Sequence, residues 1–173
     1  VRDAKLGDAA QGRRVDLAAI GRRRAGADIV HQDDEDVGRT CGKAARLDTH
    51  DLGWIEEPIS YQDVDGHARL RRAVRTPIAL GESLYSRQQF LQYLQADAVD
   101  IVQADVAFVG GITEWHKIAH LSNAFGRVVA PHFMMELSLQ LLCGVQNSFM
   151  LEDVVGGSLT ELGLLAQPIT VVA

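Results

Sequence analysis

The sequence has only two cysteines in 173 residues, and they lie far apart. Cys41 and Cys143 show neither a CxxC nor a Cys/His spacing, which argues against a disulfide scaffold and a structural zinc site and favours a reduced, cytoplasmic setting. No apolar run approaches the roughly 20 residues that a membrane helix needs, and no N-terminal hydrophobic segment of the signal-peptide type is present. We therefore expect no contact with a membrane.

Aromatic residues are also few, at 6% of the chain, and none precedes Trp54. The early part is rich in Arg and Asp, so it can bury little apolar surface. We predict that residues 1–46 form an atypical charged segment and that residues 47–173 form the folded domain. The formal net charge of −6 argues against a nucleic-acid partner, despite the basic run "GRRRAG" at residues 21–26.

The second part of the chain alternates between short apolar runs and helix-like segments. The five predicted strands lie in "LGWIEEP", "TPIALGES", "VDIVQADV", "RVVAPH" and "SFMLEDV". Continuous apolar runs are typical of strands buried on both faces of a parallel sheet. Because no Gly-rich phosphate loop follows the first strand, the pattern favours an α/β fold of the partial TIM-type (β/α) barrel kind, with about five C-terminal βα units.

An ionisable residue closes each of these strands. In chain order they are Glu56, Glu82, Asp105, His132 and Glu152, separated by 20 to 27 residues, which is the length of one βα unit. The carboxyl ends of parallel strands share one face, so we expect all five side chains to converge on one mouth.

Two adjacent glutamates, Glu56 and Glu57, end the first strand. Successive strand residues point to opposite sides, so one can bind a cation while the other serves a second layer of contacts or a neighbouring loop. Hard carboxylate oxygens without a nearby cysteine suit Mg²⁺ better than zinc.

The segments "WIEEP", "ALGES", "VQADVAFVGGITEWHKIA" and "APHFMMELSLQLL" resemble the C-terminal barrel half of the enolase superfamily, mandelate racemase subgroup. The resemblance implies that Glu56 and Glu82 are two ligands of Mg²⁺. It implies that Asp105 and His132 form a dyad in which His132 is the acid/base catalyst. Glu152 would be the carboxylic acid that hydrogen-bonds the substrate carboxylate.

The function that this resemblance implies is a magnesium-dependent dehydratase, a lyase of sugar acids that abstracts an α-proton and forms an enediolate. Racemisation or epimerisation of a 2-hydroxy acid is an alternative, as is a catalytically silent barrel fragment. The expected partner is a small-molecule carboxylate. Because five βα units leave two open sheet edges, we also expect a homo-oligomer.

Three parts of the family pattern cannot be identified in the sequence: a third acidic Mg²⁺ ligand, a strand bearing a lysine, and a capping domain. The run Asp33–Asp36 in "HQDDEDVG" is a candidate substitute ligand, although an acidic run is usually solvated. The hypothesis that follows is a truncated relative, or one whose first part is read out of frame. Without the capping domain, the substrate itself cannot be read from the sequence.

Overall fold

The computed structural model describes residue 42 and residues 44–169. The acidic run Asp33–Asp36 therefore lies outside the described residues. After a short 3-10 helix at Asp48–His50, strands and helices alternate in the order β1 (Ile55–Glu56), α1 (Val64–Ala73), β2 (Ile78–Leu80), α2 (Arg87–Gln95), β3 (Ile101–Val102), α3 (Ile112–Ala124), β4 (Val128–Val129) and α4 (Met135–Cys143).

The four strands form one parallel sheet in the order β1-β2-β3-β4, so each strand pairs with the next one along the chain. A helix connects each strand to its neighbour, which is the repeating unit of a (β/α) barrel. This arrangement confirms the predicted α/β fold and the partial barrel. The register pairs Ile101 with Val128, so residues four positions later, at the carboxyl ends of β3 and β4, also lie side by side.

Both faces of the sheet are buried, as the continuous apolar runs indicated. One face packs under the helices, where Ile78, Leu80 and Val102 belong to a large apolar core. The other face carries a smaller cluster around Ala79 and Ile101. Since neighbouring strand residues alternate between these faces, β2, β3 and β4 are apolar throughout, whereas β1 ends in Glu56.

Local side-chain caps fix where two of the helices begin. The Asp63 carboxylate accepts a hydrogen bond from the Gly66 backbone N–H at 2.7 Å and so caps α1. At the start of α2, Ser86 and Gln89 form the reciprocal capping box that their spacing predicts. No helix in the described part of the chain is long and apolar enough to cross a bilayer.

The predicted fifth strand is shorter than expected. The segment "SFMLEDV" pairs with β4 through a single parallel bridge between Val129 and Ser148. Two backbone hydrogen bonds support this bridge, from Val129 N to Asn147 O and from Phe149 N to Val129 O, both at 2.9 Å. Within residues 145–169 no helix follows it, so the described part contains four complete βα units and the start of a fifth.

Candidate active site

His132 and Asp105 form a hydrogen-bonded pair at the carboxyl ends of β4 and β3. Their atoms Nδ1 and Oδ2 are 2.9 Å apart. The Asp105 side chain is only 4% exposed, and its other oxygen, Oδ1, accepts hydrogen bonds from the backbone N–H groups of Ala107 at 2.7 Å and Phe108 at 3.2 Å. An ionised carboxylate can only accept, so Nδ1 of His132 carries a proton and Nε2 is directed away from Asp105.

Glu82 contacts the opposite side of the His132 ring, with its Oε2 3.3 Å from Nε2. Burial raises the pKa of Glu82, and the charges of Glu57, Glu56 and Glu152 raise it further, against the opposing effect of His132. The carboxylates at the ends of the first and fifth strand segments therefore act on the carboxylate at the end of the second. The five residues that the sequence singled out are brought to one end of the sheet.

The chain reaches Glu82 through an unusual backbone conformation at Gly81. Its φ is +141°, a region that favours glycine, and a Cβ there would lie 2.9 Å from the Phe90 ring and 3.0 Å from the backbone of Gln103. Gly81 allows the loop to pass close to β3 and changes the direction of the chain, and Glu82 follows directly.

Glu56 and Glu57 form different contacts, although they are adjacent. Glu56 Oε2 accepts a hydrogen bond from Nε1 of Trp54 at 3.1 Å, as expected for residues i and i+2 on one side of a strand. Glu57 has a left-handed φ of 35°. Its carboxylate accepts hydrogen bonds from Gly81 N at 3.3 Å and from Ser83 Oγ at 3.2 Å.

Glu152 is positioned against the chain that follows His132. Its Oε2 accepts a hydrogen bond from the Phe133 backbone N–H at 2.6 Å. Phe133 and Met134 both have left-handed φ values, of 51° and 48°, and Ser138 Oγ donates to the Phe133 carbonyl at 2.8 Å. Glu152 thus stabilises a strained loop in addition to any contact with a substrate.

The donor chemistry at this end of the sheet suits a hard divalent cation, because Glu56 and Glu82 supply carboxylate oxygens and the crowding of acids around Glu82 leaves negative charge to be balanced. Among the described residues, however, no group of three or more His, Cys, Asp or Glu side chains is arranged to hold a metal ion. The predicted pair of ligands is therefore chemically suitable, and the described residues do not complete the set.

Two features of the site were not specified by the sequence. One of the two adjacent glutamates was expected to contact a neighbouring loop, but the partners of Glu57 depend on its left-handed backbone, which no motif signals. Tyr85 and Phe108 stack with ring centroids 5.4 Å apart, and both are largely exposed beside the loops that carry Glu82 and Asp105. The two rings meet because they follow β2 and β3, which are neighbouring parallel strands.

Three of the proteins that the chain is similar to are two dehydratases and a racemase. The L-talarate/galactarate dehydratase of Salmonella typhimurium is 41% identical over 114 residues, which are 66% of this chain and 28% of that protein. The structure of L-talarate dehydratase from Polaromonas sp. JS666, complexed with Mg and L-glucarate, aligns with a TM-score of 0.65 and 34% identity, over 69% of this chain and 32% of that one. A racemase from Streptomyces coelicolor with bound magnesium gives a TM-score of 0.65 and 30% identity, over 68% and 33%.

The chain thus spans a third or less of the length of these relatives. The match to the family described as enolase C-terminal domain-like covers residues 18–173 and so begins inside the segment that the sequence analysis set apart. The boundary at residues 46 and 47 stays a prediction. The resemblance drawn from the strand-end motifs is confirmed, and the chain belongs to the enolase C-terminal domain-like family.

Proposed function

We propose that the protein containing this chain is a magnesium-dependent sugar acid dehydratase. The observation that carries the proposal is the position of His132, whose Nδ1 is hydrogen-bonded to Asp105 while Nε2 lies on the side of Glu82. A histidine oriented by a carboxylate is a suitable proton carrier near neutral pH. The similarity of the chain to an L-talarate/galactarate dehydratase supports a sugar acid as substrate.

In this proposal Glu56 and Glu82 are ligands of Mg²⁺. When bound, the ion supplies a Lewis acid that stabilises negative charge on the substrate carboxylate. The residues of this chain then carry out the proton transfers. Asp105 fixes the ring of His132 with its proton on Nδ1, so that Nε2, on the side of Glu82, is the nitrogen that acts as the base.

In the proposed reaction, His132 serves first as the base and then as the acid. Nε2 of His132 removes the proton on the carbon next to the carboxylate, and the electrons of that C–H bond form an enediolate. The same proton, or one exchanged with solvent, then passes from His132 to the β-hydroxyl group, which leaves as water. The resulting enol tautomerises to a 2-keto-3-deoxy acid. Glu152, if protonated, would donate a hydrogen bond to a carboxylate oxygen of the substrate.

The test is a panel of sugar acids that includes galactarate, L-talarate, galactonate and gluconate, assayed with Mg²⁺ for the formation of 2-keto-3-deoxy acids. We expect activity in the parent protein and a loss of about 10²–10⁴-fold in His132→Asn, since this is what general acid–base catalysis typically contributes. His120→Asn, an exposed histidine of α3, is the matched control. Equal activity of His132→Asn and the control would refute the role of His132.

Racemisation or epimerisation of a 2-hydroxy acid is the second candidate, because a racemase is among the structural relatives. It requires a second base on the other face of the substrate. In the described part of the chain, Lys117 does not provide one, since it lies on the surface of α3 and pairs with Glu114 at 2.7 Å. Exchange of the substrate α-proton in D₂O with inversion of configuration and without water loss would favour this candidate. No turnover of any acid would favour a silent barrel fragment.

The proposal also includes assembly into a homo-oligomer and a cytoplasmic location. The wide separation of the two cysteines in the sequence is the argument for a reduced compartment. Sedimentation of the purified protein tests the first of these expectations.

A further inference from the structure

We infer that Glu57, the second glutamate of the adjacent pair, is a positioning residue that fixes the loop carrying Glu82. This inference rests on the proposed role of Glu82 as a metal ligand. We call residues 81–83 the Glu82 loop. The Glu57 carboxylate contacts that loop on both sides of Glu82, through Gly81 N at 3.3 Å and Ser83 Oγ at 3.2 Å.

The Glu57 backbone strengthens the same connection. Its N–H donates to the carbonyl of Ala79 in β2 at 3.0 Å. Glu57 therefore attaches the end of β1 to the end of β2 at three points. The left-handed φ of 35° at Glu57 is an unfavourable conformation for a residue other than glycine. The hydrogen bonds to the Glu82 loop are contacts that this conformation makes possible.

Glu82 itself has little else to hold it. Within the described residues, its carboxylate contacts His132 at 3.3 Å, and the side chain is 37% exposed. The direction of this carboxylate is consequently set by the backbone of the Glu82 loop. That backbone is held by the Gly81 conformation from one side and by Glu57 from the other. Groups that orient a metal ligand in this way change metal affinity by about 10- to 100-fold when they are removed.

The substitutions Glu57→Ala, Glu57→Gln and Ser83→Ala separate positioning from direct participation. Glutamine can still accept from Gly81 N, and its amide can donate to the Ser83 hydroxyl, so it keeps both contacts without the charge. Alanine loses both contacts, and Ser83→Ala loses one. Glu114→Ala, which removes one negative charge from a half-buried position of α3 away from the Glu82 loop, is the control for charge.

Two measurements are made on the full chain: hydrogen exchange of the Gly81 amide by NMR, and the dissociation constant of Mg²⁺ by calorimetry. We expect Glu57→Ala to speed exchange and weaken Mg²⁺ binding, each by at least about 10-fold, and Ser83→Ala to weaken binding by a smaller factor. Glu57→Gln should stay within about threefold of the parent on both measurements.

The inference is overturned if the Gly81 amide exchanges at the parent rate in Glu57→Ala. It is also overturned if Glu57→Gln binds Mg²⁺ as weakly as Glu57→Ala while Ser83→Ala binds normally, since Glu57 would then act through its charge. A parent protein that binds no Mg²⁺ would refute the proposed function instead. The exchange rates alone then decide whether Glu57 holds the loop.

Discussion

Replacing Asp105 by asparagine should place the proton on the wrong nitrogen of His132. In the parent chain, Oδ1 accepts hydrogen bonds from two backbone N–H groups, of Ala107 and Phe108, while Oδ2 faces Nδ1 of His132. In the variant only the amide oxygen can accept from those N–H groups, so the NH₂ group must face Nδ1. Nδ1 then becomes an acceptor, and the proton moves to Nε2, which can no longer act as the base.

The expected magnitude follows from the role of the tautomer. The same Asp→Asn change in another His–carboxylate pair lowers kcat by about 10⁴-fold with the geometry intact. We expect a loss of roughly 10³–10⁴-fold in kcat for dehydration, which is about 4–5 kcal/mol of activation free energy. The free energy of unfolding should change by less than about 1 kcal/mol, because the hydrogen bonds to the loop after β3 are kept.

Two readouts check this reasoning. Steady-state kinetics with the best sugar acid gives kcat, and ¹⁵N NMR of the imidazole ring reports which nitrogen of His132 is protonated. Asp65→Asn, at an exposed position of α1, is the control and should match the parent in both. A loss of less than 10-fold in Asp105→Asn, or a proton that stays on Nδ1, would refute the argument whatever the substrate.

Three further predictions concern stability. His67 is fully buried, and burial lowers its pKa. The contribution of neutral His67 to the free energy of unfolding is therefore complete above the unfolded pKa near 6.5 and is lost as the pH falls below it, by up to about 1.4 kcal/mol per pH unit. Between pH 7.5 and 5.5, urea unfolding should show a larger loss of stability in the parent than in His67→Leu. Gly81→Ala should lower the free energy of unfolding by about 2–3 kcal/mol in the same assay, because Gly81 has a positive φ and a new Cβ would contact Phe90 and Gln103. Gly53→Ala is the control and should cost less than about 1 kcal/mol, because no atom lies within 4 Å of the new Cβ. Asp48→Ala should cost roughly 1–2 kcal/mol of unfolding free energy, since the Asp48 carboxylate accepts from two backbone N–H groups and from the Thr76 hydroxyl. Thr76→Val removes only one of these three hydrogen bonds and should cost less. Equal losses of stability in the two variants would contradict this explanation.

Much of the fold and the location of the site could be predicted because both depend on repetition. Each βα unit has a continuous apolar strand and a helix, and parallel pairing brings every strand end to the same side. Asp105 and His132 illustrate this best. They lie 27 residues apart in the sequence, and the register of β3 with β4 brings them within hydrogen-bonding distance.

The parts that could not be predicted depend on single backbone conformations. The two glutamates after β1 were expected to diverge, but the sequence did not indicate which partners each would take. The answer depends on the left-handed φ of Glu57, which directs its carboxylate toward Gly81 and Ser83. The fifth strand was overpredicted, because an apolar run alone does not reveal that its backbone pairs with β4 at a single bridge.

The residues with left-handed backbone near the site share one structural role: they end the regular strand geometry. Glu57 and Gly81 directly follow β1 and β2, and Phe133 and Met134 lie in the loop between β4 and α4. A regular strand would continue to alternate its side chains between the two faces of the sheet, so it could not direct the acids of β1 and β2 and the imidazole after β4 at one another. Two of these departures are held by a carboxylate of the site: Glu57 accepts from the Gly81 N–H, and Glu152 accepts from the Phe133 N–H. The strained backbone positions and the carboxylates that hold them therefore depend on each other. Removing a carboxylate should displace the strained loop, and relaxing the strained backbone should displace the carboxylate.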